Sequence, residues 1–247
     1  MRNRRVSQRL RRKKRMRKRR IIFISLVIII AFSLVQISGI FRINKLDISG
    51  NNVVKKSEIE KILNESIGKN YLLLNKGKIE KALLKIPYIK DVKFSYKFKN
   101  ILRVAIDERQ DFLLIKGGTE YIADRNLKIL GEKSSSKKEL IVVEGIDTNK
   151  YEIGAYLFRN DENLKELSQK LLNSNIIFDI SSIKFYKDSC DFTLKDGILV
   201  KFGPVNNFDY KLEMLEKIRE DIKNTGKDVV SIDLFSNENP IVTLNGV

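Results

Sequence analysis

KIPYIKDVKFSYKFKNILRVAIDER, residues 85–109, decides the fold. Val92, Phe94, Tyr96 and Phe98 alternate with polar residues, Asn100 interrupts, and Leu102, Val104 and Ile106 then alternate with Arg103 and Asp107. Two period-two runs either side of a short polar break predict an antiparallel hairpin with one buried face. Val104 and Ile106 are expected inside and Arg103 outside. Pro87 stands just ahead of the hairpin and should end a helix, since it lacks an N–H and its ring clashes with the preceding turn.

Upstream, the pattern supplies that helix and another. A helix starting near Asn75 puts Ile79, Ala82, Leu83 and Ile86 on one side. Before it, Ser57 and Glu60 have the spacing of a capping box. Ile59, Ile62, Leu63 and Ile67 follow on one face, and Gly68 closes the helix. Ile43 to Ser49 is a short strand ended by Gly50-Asn51-Asn52. Residues 42–111 therefore read as a βααββ domain in which two helices cover one face of the hairpin.

Downstream, residues 112–247 form a second domain richer in strands. Phe112 to Lys116 and Glu120 to Ala123 flank Gly117-Gly118, a hairpin signal. Leu127 to Leu130 and Leu140 to Glu144 add short strands around a serine-bearing charged tract, Glu132 to Glu139. Asp161 to Asn173 is a helix with Leu164, Leu167, Leu171 and Leu172 inward. Ile180 to Tyr186, Asp191 to Leu194 and Ile198 to Phe202 form a meander, with Asp196-Gly197 at its last turn. Asn207 to Lys223 is a helix with Leu212, Leu215, Ile218 and Ile222 on one face and Gly226 at its end. Val230, Ile232 and Leu234 alternate in a strand, and Pro240 to Leu244 is a last extended piece. The fold class is α+β, with a mixed, mostly antiparallel sheet in the second domain.

The N-terminus carries a different signal. Residues 1–20 hold ten Arg and three Lys with no acid, whereas the whole chain has 48 Lys+Arg against 31 Asp+Glu. From Ile21 onward 35 basic residues face 31 acidic ones, so the net charge of +17 resides mostly in this tail. The next 21 residues, 21–41, contain no charge. As a helix they would rise about 31 Å, enough for a hydrocarbon core of about 30 Å. The positive-inside rule then predicts a basic cytoplasmic tail (1–20), a transmembrane helix (21–41) and an exported remainder. The run is longer than the apolar region of a cleaved signal, and Ile37-Ser38-Gly39 is a poor cleavage site. Topology and attraction to anionic lipid account for the tail, so no specific nucleic-acid partner is expected.

Composition restricts the chemistry. There is no histidine and one cysteine, Cys190. Ser-His-Asp and Cys-His catalysis are excluded, and so is an intramolecular disulfide; a zinc site has too few of its usual ligands. Cys190 lies in an apolar alternating stretch, which predicts a buried thiol. Ser-Lys or paired-carboxylate chemistry survives counting, but no catalytic residue, cofactor or metal ligand is singled out. A membrane-anchored Ser-Lys protease would look to Ser49 or Ser57 near the membrane, though one ends a strand and the other caps a helix. An exported ligand sensor would need convergent polar and aromatic groups, for which the pattern gives no support.

Several segments, in order, resemble the FtsQ/DivIB family of bacterial division proteins. Ile43-Asn44-Lys45-Leu46-Asp47-Ile48-Ser49-Gly50-Asn51 is similar to the strand and turn that open the family's POTRA domain. Gly68-Lys69-Asn70 and Lys85-Ile86-Pro87-Tyr88-Ile89-Lys90-Asp91-Val92 follow, and Asn100-Ile101-Leu102-Arg103-Val104 with Asp107-Glu108-Arg109 resembles its closing hairpin. Tyr121-Ile122-Ala123-Asp124, the helix around Leu212 and Leu215, and Ile232-Asp233-Leu234 continue the series. The family often has proline where Lys99 and Asp111 stand. The residues end at Val247 without a long tail, so functions that tails carry in some members are not expected.

The resemblance implies a non-enzymatic, single-pass scaffold at the division septum. It implies partners of the FtsB/DivIC and FtsL kinds, bound outside the membrane, and a role in positioning and regulating septal cell-wall synthesis. It also places the partner surface at the last strand. Ile232, Leu234, Phe235, Ile241, Val242 and Leu244 would divide between core and partner face, with Phe235, out of phase with Ile232 and Leu234, as the exposed anchor. Alternation alone leaves open that the last strand closes the sheet as a core strand.

Overall fold

A computed structural model of the chain describes residues 16–30, 33–34, 39–133, 139–235 and 239–246. Two compact units emerge, one from residues 1–84 and 91–107, the other from 85–90 and 108–247.

Residues 16–30 and 33–34 are helical and exposed. The described helix begins at Met16, ahead of the expected start at Ile21, because the Arg17–Arg20 run consists of good helix formers; at the other end Gly39, Ile40 and Phe41 are not helical, so the expected end at Phe41 is not met. Among the described residues no helix is long and apolar enough to cross a membrane. The continuous described helix takes in only residues 21–30 of the uncharged run, about 15 Å of rise. Residues 31–32 and 35–38 of the expected span, and 1–15 of the basic tail, lie outside the described residues. So do residues 134–138 of the charged tract and Val247.

In the first unit, β1 (Lys45–Ser49) leads into α1 (Lys56–Leu63) and α2 (Lys76–Leu83), and then β2 (Ile89–Lys97) and β3 (Ile101–Glu108). The strand order is β1-β3-β2, with β1 parallel to β3. Ile43, Val54, Ile59, Leu63 and Leu83 from the first half and Val92, Leu102, Val104 and Ile106 from the hairpin are all buried. The predicted register of β3 therefore holds. Arg103 is exposed but paired, its Nε 3.0 Å from Asp47 on β1. Gly50 turns the chain after β1 with φ +86°, and a Cβ there would collide with the Ile106 carbonyl oxygen.

Three expectations for this unit fail. Lys55, not Ser57, is the N-cap of α1, with no side-chain cap bond. Ser57 lies inside the first turn, and Glu60 pairs instead with Lys56 at 3.8 Å. Ile67 and Phe98, counted with the apolar faces, are exposed by 48% and 82%. Ile67 follows a short 3-10 turn that breaks the helical period, and Phe98 lies in the hairpin turn beyond the end of β2. In that turn Lys99 and Asn100 have φ of 76° and 66°, the two consecutive positive values of a type I′ hairpin. Proline, fixed near −65°, has no place at Lys99 in this turn. Asn75 does cap α2, its Oδ1 accepting from the Lys78 amide at 3.0 Å.

The second unit is built on β4 (Leu113–Ile115), β5 (Tyr121–Ala123), β6 (Ile129–Glu132), β7 (Ile141–Glu144), α3 (Glu162–Asn173), β8 (Ile180–Phe185), β9 (Ser189–Leu194), β10 (Leu199–Pro204), α4 (Phe208–Thr225), β11 (Val229–Asp233) and β12 (Ile241–Leu244). Nine strands form one sheet in the order β12-β11-β10-β9-β8-β7-β4-β5-β6. Pairs β10–β11, β4–β7 and β7–β8 are parallel and the others antiparallel. The mostly antiparallel mixed sheet is as expected, although the strand near Leu127 begins two residues later. Leu164, Leu167, Leu171 and Leu172 of α3 enter a core shared with Ile183, Phe185, Phe192, Val200 and Phe202. Cys190 is buried there, and burial raises its thiol pKa to about 12.

A buried ion pair braces the start of this unit. Arg109 Nη1 donates to Asp124 Oδ2 at 2.7 Å, and the two side chains are 12% and 5% exposed. The other carboxylate oxygen accepts from the amides of Asn126 and Lys128 at 2.9 and 2.8 Å.

Candidate partner-binding edge

The site implied by sequence lies where β11 and β12 end the sheet. β12 occupies the end of the strand order, so among the described residues only β11 pairs with it. All four of its residues are exposed, Ile241 by 62%, Val242 by 38% and Leu244 by 36%. The alternative of a core strand is thereby overturned. β12 is an edge, its outer N–H and C=O groups without a strand partner, and no charged side chain interrupts it.

β11 separates the six candidate residues. Ile232 and Leu234 are buried, at 0% and 3% exposure, and belong to the core; Phe235 is 58% exposed. Val230, expected inside with them, is 48% exposed. The register shifts between Val229 and Ser231, where two steps along β11 match one from Leu244 to Thr243 on β12. Val230 is therefore the extra residue of a bulge, and its neighbour Val229 turns inward instead.

Phe235 is held from both sides. Its amide donates to Asp233 Oδ1 at 2.9 Å, an Asx turn directly after the strand. Beneath it lies Gly203 of β10, with φ +78°; a Cβ there would sit 3.0 Å from the Phe235 ring and 3.3 Å from its Cα. Gly203 itself follows a register shift in the β9–β10 pairing. Glycine is required twice over, for the left-handed backbone and for the aromatic resting on it.

Lys211, which the pattern of α4 passed over, fixes the same corner. The buried positions of α4 are Phe208, Lys211 and Leu215, while Leu212, Ile218 and Ile222 are only partly buried. Lys211 is 1% exposed and donates from Nζ to the carbonyls of Phe202 and Pro204 at 3.1 and 3.0 Å. The ammonium thus ties α4 to the residues flanking Gly203, and burial lowers its pKa. The available signal was a lysine three residues after Phe208 and four before Leu215, at the spacing of the buried stripe.

Between α4 and the edge runs an open groove of about 390 Å³, lined by Ile218, Ile222, Val229, Val242 and Leu244 with Lys217, Asp221 and Lys227 at its rim. Asn245 secures the hairpin's far end, its amide and side chain donating to the Asp228 carbonyl and carboxylate, each at 2.8 Å. The result is an apolar strip with an open strand edge, a groove behind it and an aromatic at one end. It can take an extended segment by main-chain pairing and bury apolar side chains beside it.

Comparison with known proteins gives the two units a family. Residues 41–109 match the model of the POTRA domain, FtsQ-type, and residues 112–234 match that of the FtsQ/DivIB C-terminal domain. The second match stops one residue before Phe235. The chain is 27% identical over 242 residues to the cell division protein DivIB of Clostridium botulinum strain Hall, covering 92% of this chain and 91% of that one. Identity to DivIB of Listeria monocytogenes is 26% over 242 residues, covering 92% and 83%. It is 32% over 131 residues to DivIB of Clostridium acetobutylicum, covering 52% and 53%. With two successive domain matches and relatives aligned over nearly the whole length, this chain belongs to the FtsQ/DivIB family of cell-division proteins.

Proposed function

We propose that the chain is a non-enzymatic, single-pass scaffold of the division machinery, with residues 1–20 in the cytoplasm, the uncharged run from residue 21 to about residue 38 in the plasma membrane and two extracytoplasmic domains, ending at residues 111 and 247. It binds FtsB/DivIC-like and FtsL-like proteins outside the membrane at the septum, and so positions and regulates cell-wall synthesis. The uncharged run and the charge asymmetry across it support the anchor. The single observation that carries the binding role is the exposed edge of β12 beside Phe235. A partner strand adding to this edge would satisfy its main-chain groups, with Phe235, Ile241, Val242 and Leu244 as contacts and Ile232 and Leu234 as the core beneath.

Titration with the purified exported segment of an FtsB/DivIC-like protein tests this. Phe235→Lys should remove an aromatic anchor worth about 2 kcal/mol or more, roughly a thirtyfold loss of affinity. Truncation before Pro240 should abolish binding, with the protein still in the membrane and the first unit folded. Unchanged affinity in both folded variants would refute the edge as the partner site. A reporter fused after Phe41 should read out an extracytoplasmic location; a mature N-terminus near Ile40 would instead mean cleavage and refute the anchor.

A further inference from the structure

One end of the first unit has a composition that neither its fold nor the partner edge requires. The chain enters at Gly39–Ile40–Phe41 and is tied at once to two other segments. The Tyr71 amide donates to the Phe41 carbonyl at 2.9 Å, Arg42 Nε to the Gly68 carbonyl at 3.2 Å, and Asn100 Nδ2 to the Gly39 carbonyl at 2.9 Å. Tyr96 donates its hydroxyl proton to the Ile40 carbonyl. Its ring lies 5.4 Å from Phe41 and 5.3 Å from Tyr71. The entry segment, residues 67–73 and the hairpin turn at 96–100 therefore form a single end.

That end exposes Ile40 (54%), Ile67 (48%), Leu72 (48%), Leu73 (67%) and Phe98 (82%). Interleaved with them are exposed Arg42, Lys69, Lys97 and Lys99. Residues 39–46, 67–78 and 96–101 contain no Asp or Glu. The unit's acids lie outside those stretches: Asp47 in β1, Glu58 and Glu60 in α1, Glu65 in the 3-10 turn after it, Glu80 in α2, Asp91 in β2 and Asp107 in β3.

We infer that this end of the first unit is a bilayer seat: its apolar side chains enter the outer interface and its Lys and Arg pair with anionic lipid headgroups. The inference rests on the anchor reading, and the chain path supplies its main argument. The uncharged run ends at Phe41, yet Gly39 to Phe41 are already hydrogen-bonded into the folded unit, so the run leads into the domain with no charged residue between. The 18 residues 21–38 that remain would rise about 27 Å as a helix, slightly less than a hydrocarbon core of about 30 Å. A short span draws its flanking residues toward the interface. There Tyr71 and Tyr96 sit as interfacial aromatics do, and clustered cations meet anionic headgroups. The bilayer thus covers the apolar residues and supplies the anions that this end lacks.

The test uses the full chain carrying Cys190→Ala, in nanodiscs of phosphatidylcholine and phosphatidylglycerol containing lipid with a nitroxide just below the headgroup. A fluorophore is attached in turn at Phe98→Cys, Leu73→Cys, Glu58→Cys on α1, and Ile30→Cys in the uncharged run. Positions 73 and 98 should be quenched at least twofold more than position 58, and the excess should fall in discs of phosphatidylcholine alone. Lys69→Glu, Lys97→Glu and Lys99→Glu together should return positions 73 and 98 to the level of 58, with position 30 still quenched and the circular dichroism unchanged. Quenching at 30 without excess at 73 and 98 would overturn the seat and leave the anchor standing. No quenching at 30 would overturn both. Quenching at 73 and 98 indifferent to anionic lipid and to the three reversals would overturn the role given to the cations.

Discussion

Replacing Arg109 by Met should destabilise the second unit more than any exposed charge change, and the structure sets the size of the effect. The Arg109–Asp124 pair is almost wholly withdrawn from water. Removing one partner of a buried pair typically costs about 3–5 kcal/mol, because the remaining charge stays buried. Asp124 would keep two amide donors, from Asn126 and Lys128, which places Arg109→Met at the lower end, about 3 kcal/mol. Asp124→Asn should cost a similar amount, about 3 kcal/mol, by stranding the guanidinium. The Asn oxygen can still accept from both amides, so the turn would survive. Arg109 Nε already finds no acceptor among the described residues, so the intact pair is incompletely satisfied. With both charges gone, Arg109→Met/Asp124→Asn should lose only about 1 kcal/mol, the scale of one neutral hydrogen bond. The assay is urea unfolding of each variant by circular dichroism, evaluated as a double-mutant cycle. Those losses imply a coupling of about 5 kcal/mol, and additivity within ~0.5 kcal/mol would refute the argument. Burial and the neighbouring Arg109 lower the pKa of Lys128, so Arg109→Met should also move that pKa upward in an NMR titration.

Other outcomes follow from single contacts. Ile106→Asp should unfold the first unit in a thermal melt, since Ile106 is buried behind the β3 register. Arg103→Glu, which places like charges opposite each other at the half-exposed Asp47 pair, should cost about 1 kcal/mol or less. Gly203→Ala should weaken partner binding while the first unit keeps its stability, because the new Cβ meets the ring and Cα of Phe235; affinity equal to the parent's would show that this glycine does not position the aromatic. Cys190 and Lys211 should give opposite alkaline trends in urea midpoints. The folded thiol, raised to about 12 from 9.0, contributes stability that is present below pH 9 and lost as pH climbs toward about 12, so Cys190→Ala should remove that loss. The lowered Lys211 pKa acts the other way: its penalty is full below the folded pKa and fades as pH approaches the ordinary 10.5, a rise that Lys211→Met should flatten.

The alternating hairpin was legible because its period ties every side chain to a face: Leu102, Val104 and Ile106 had to be buried together. Helix α3 was legible for the same reason, with an N-cap, Asp161, that accepts from Leu164 at 3.0 Å. What escaped were local competitions that period does not encode. Ser57 has the capping spacing, yet the N-cap is Lys55, two residues earlier, which places Ser57 inside the first turn. Val230 continues the alternation of Ile232 and Leu234, yet a bulge gives its inward place to Val229. In both cases a neighbouring backbone geometry displaced a valid side-chain signal, by two positions in α1 and by one in β11.

The candidate site was half legible for a deeper reason. An edge strand and a central strand can carry the same four residues, and Ile241-Val242-Thr243-Leu244 gives no sign of which it is. Only the strand order, which leaves β12 last, turns that apolar run from core into surface. Phase did better with Phe235: it falls one residue after Leu234, and the structure buries one and exposes the other. The support beneath Phe235 could not be read at all, because Gly203 and Lys211 act through φ and through two carbonyls rather than through hydrophobic pattern. A glycine in a strand and a lysine on an apolar stripe each look like weak points taken singly. Together they hold a bulge open beneath an aromatic, which means that substitutions improving strand propensity at Gly203 or helix burial at Lys211 should damage the edge they appear to strengthen.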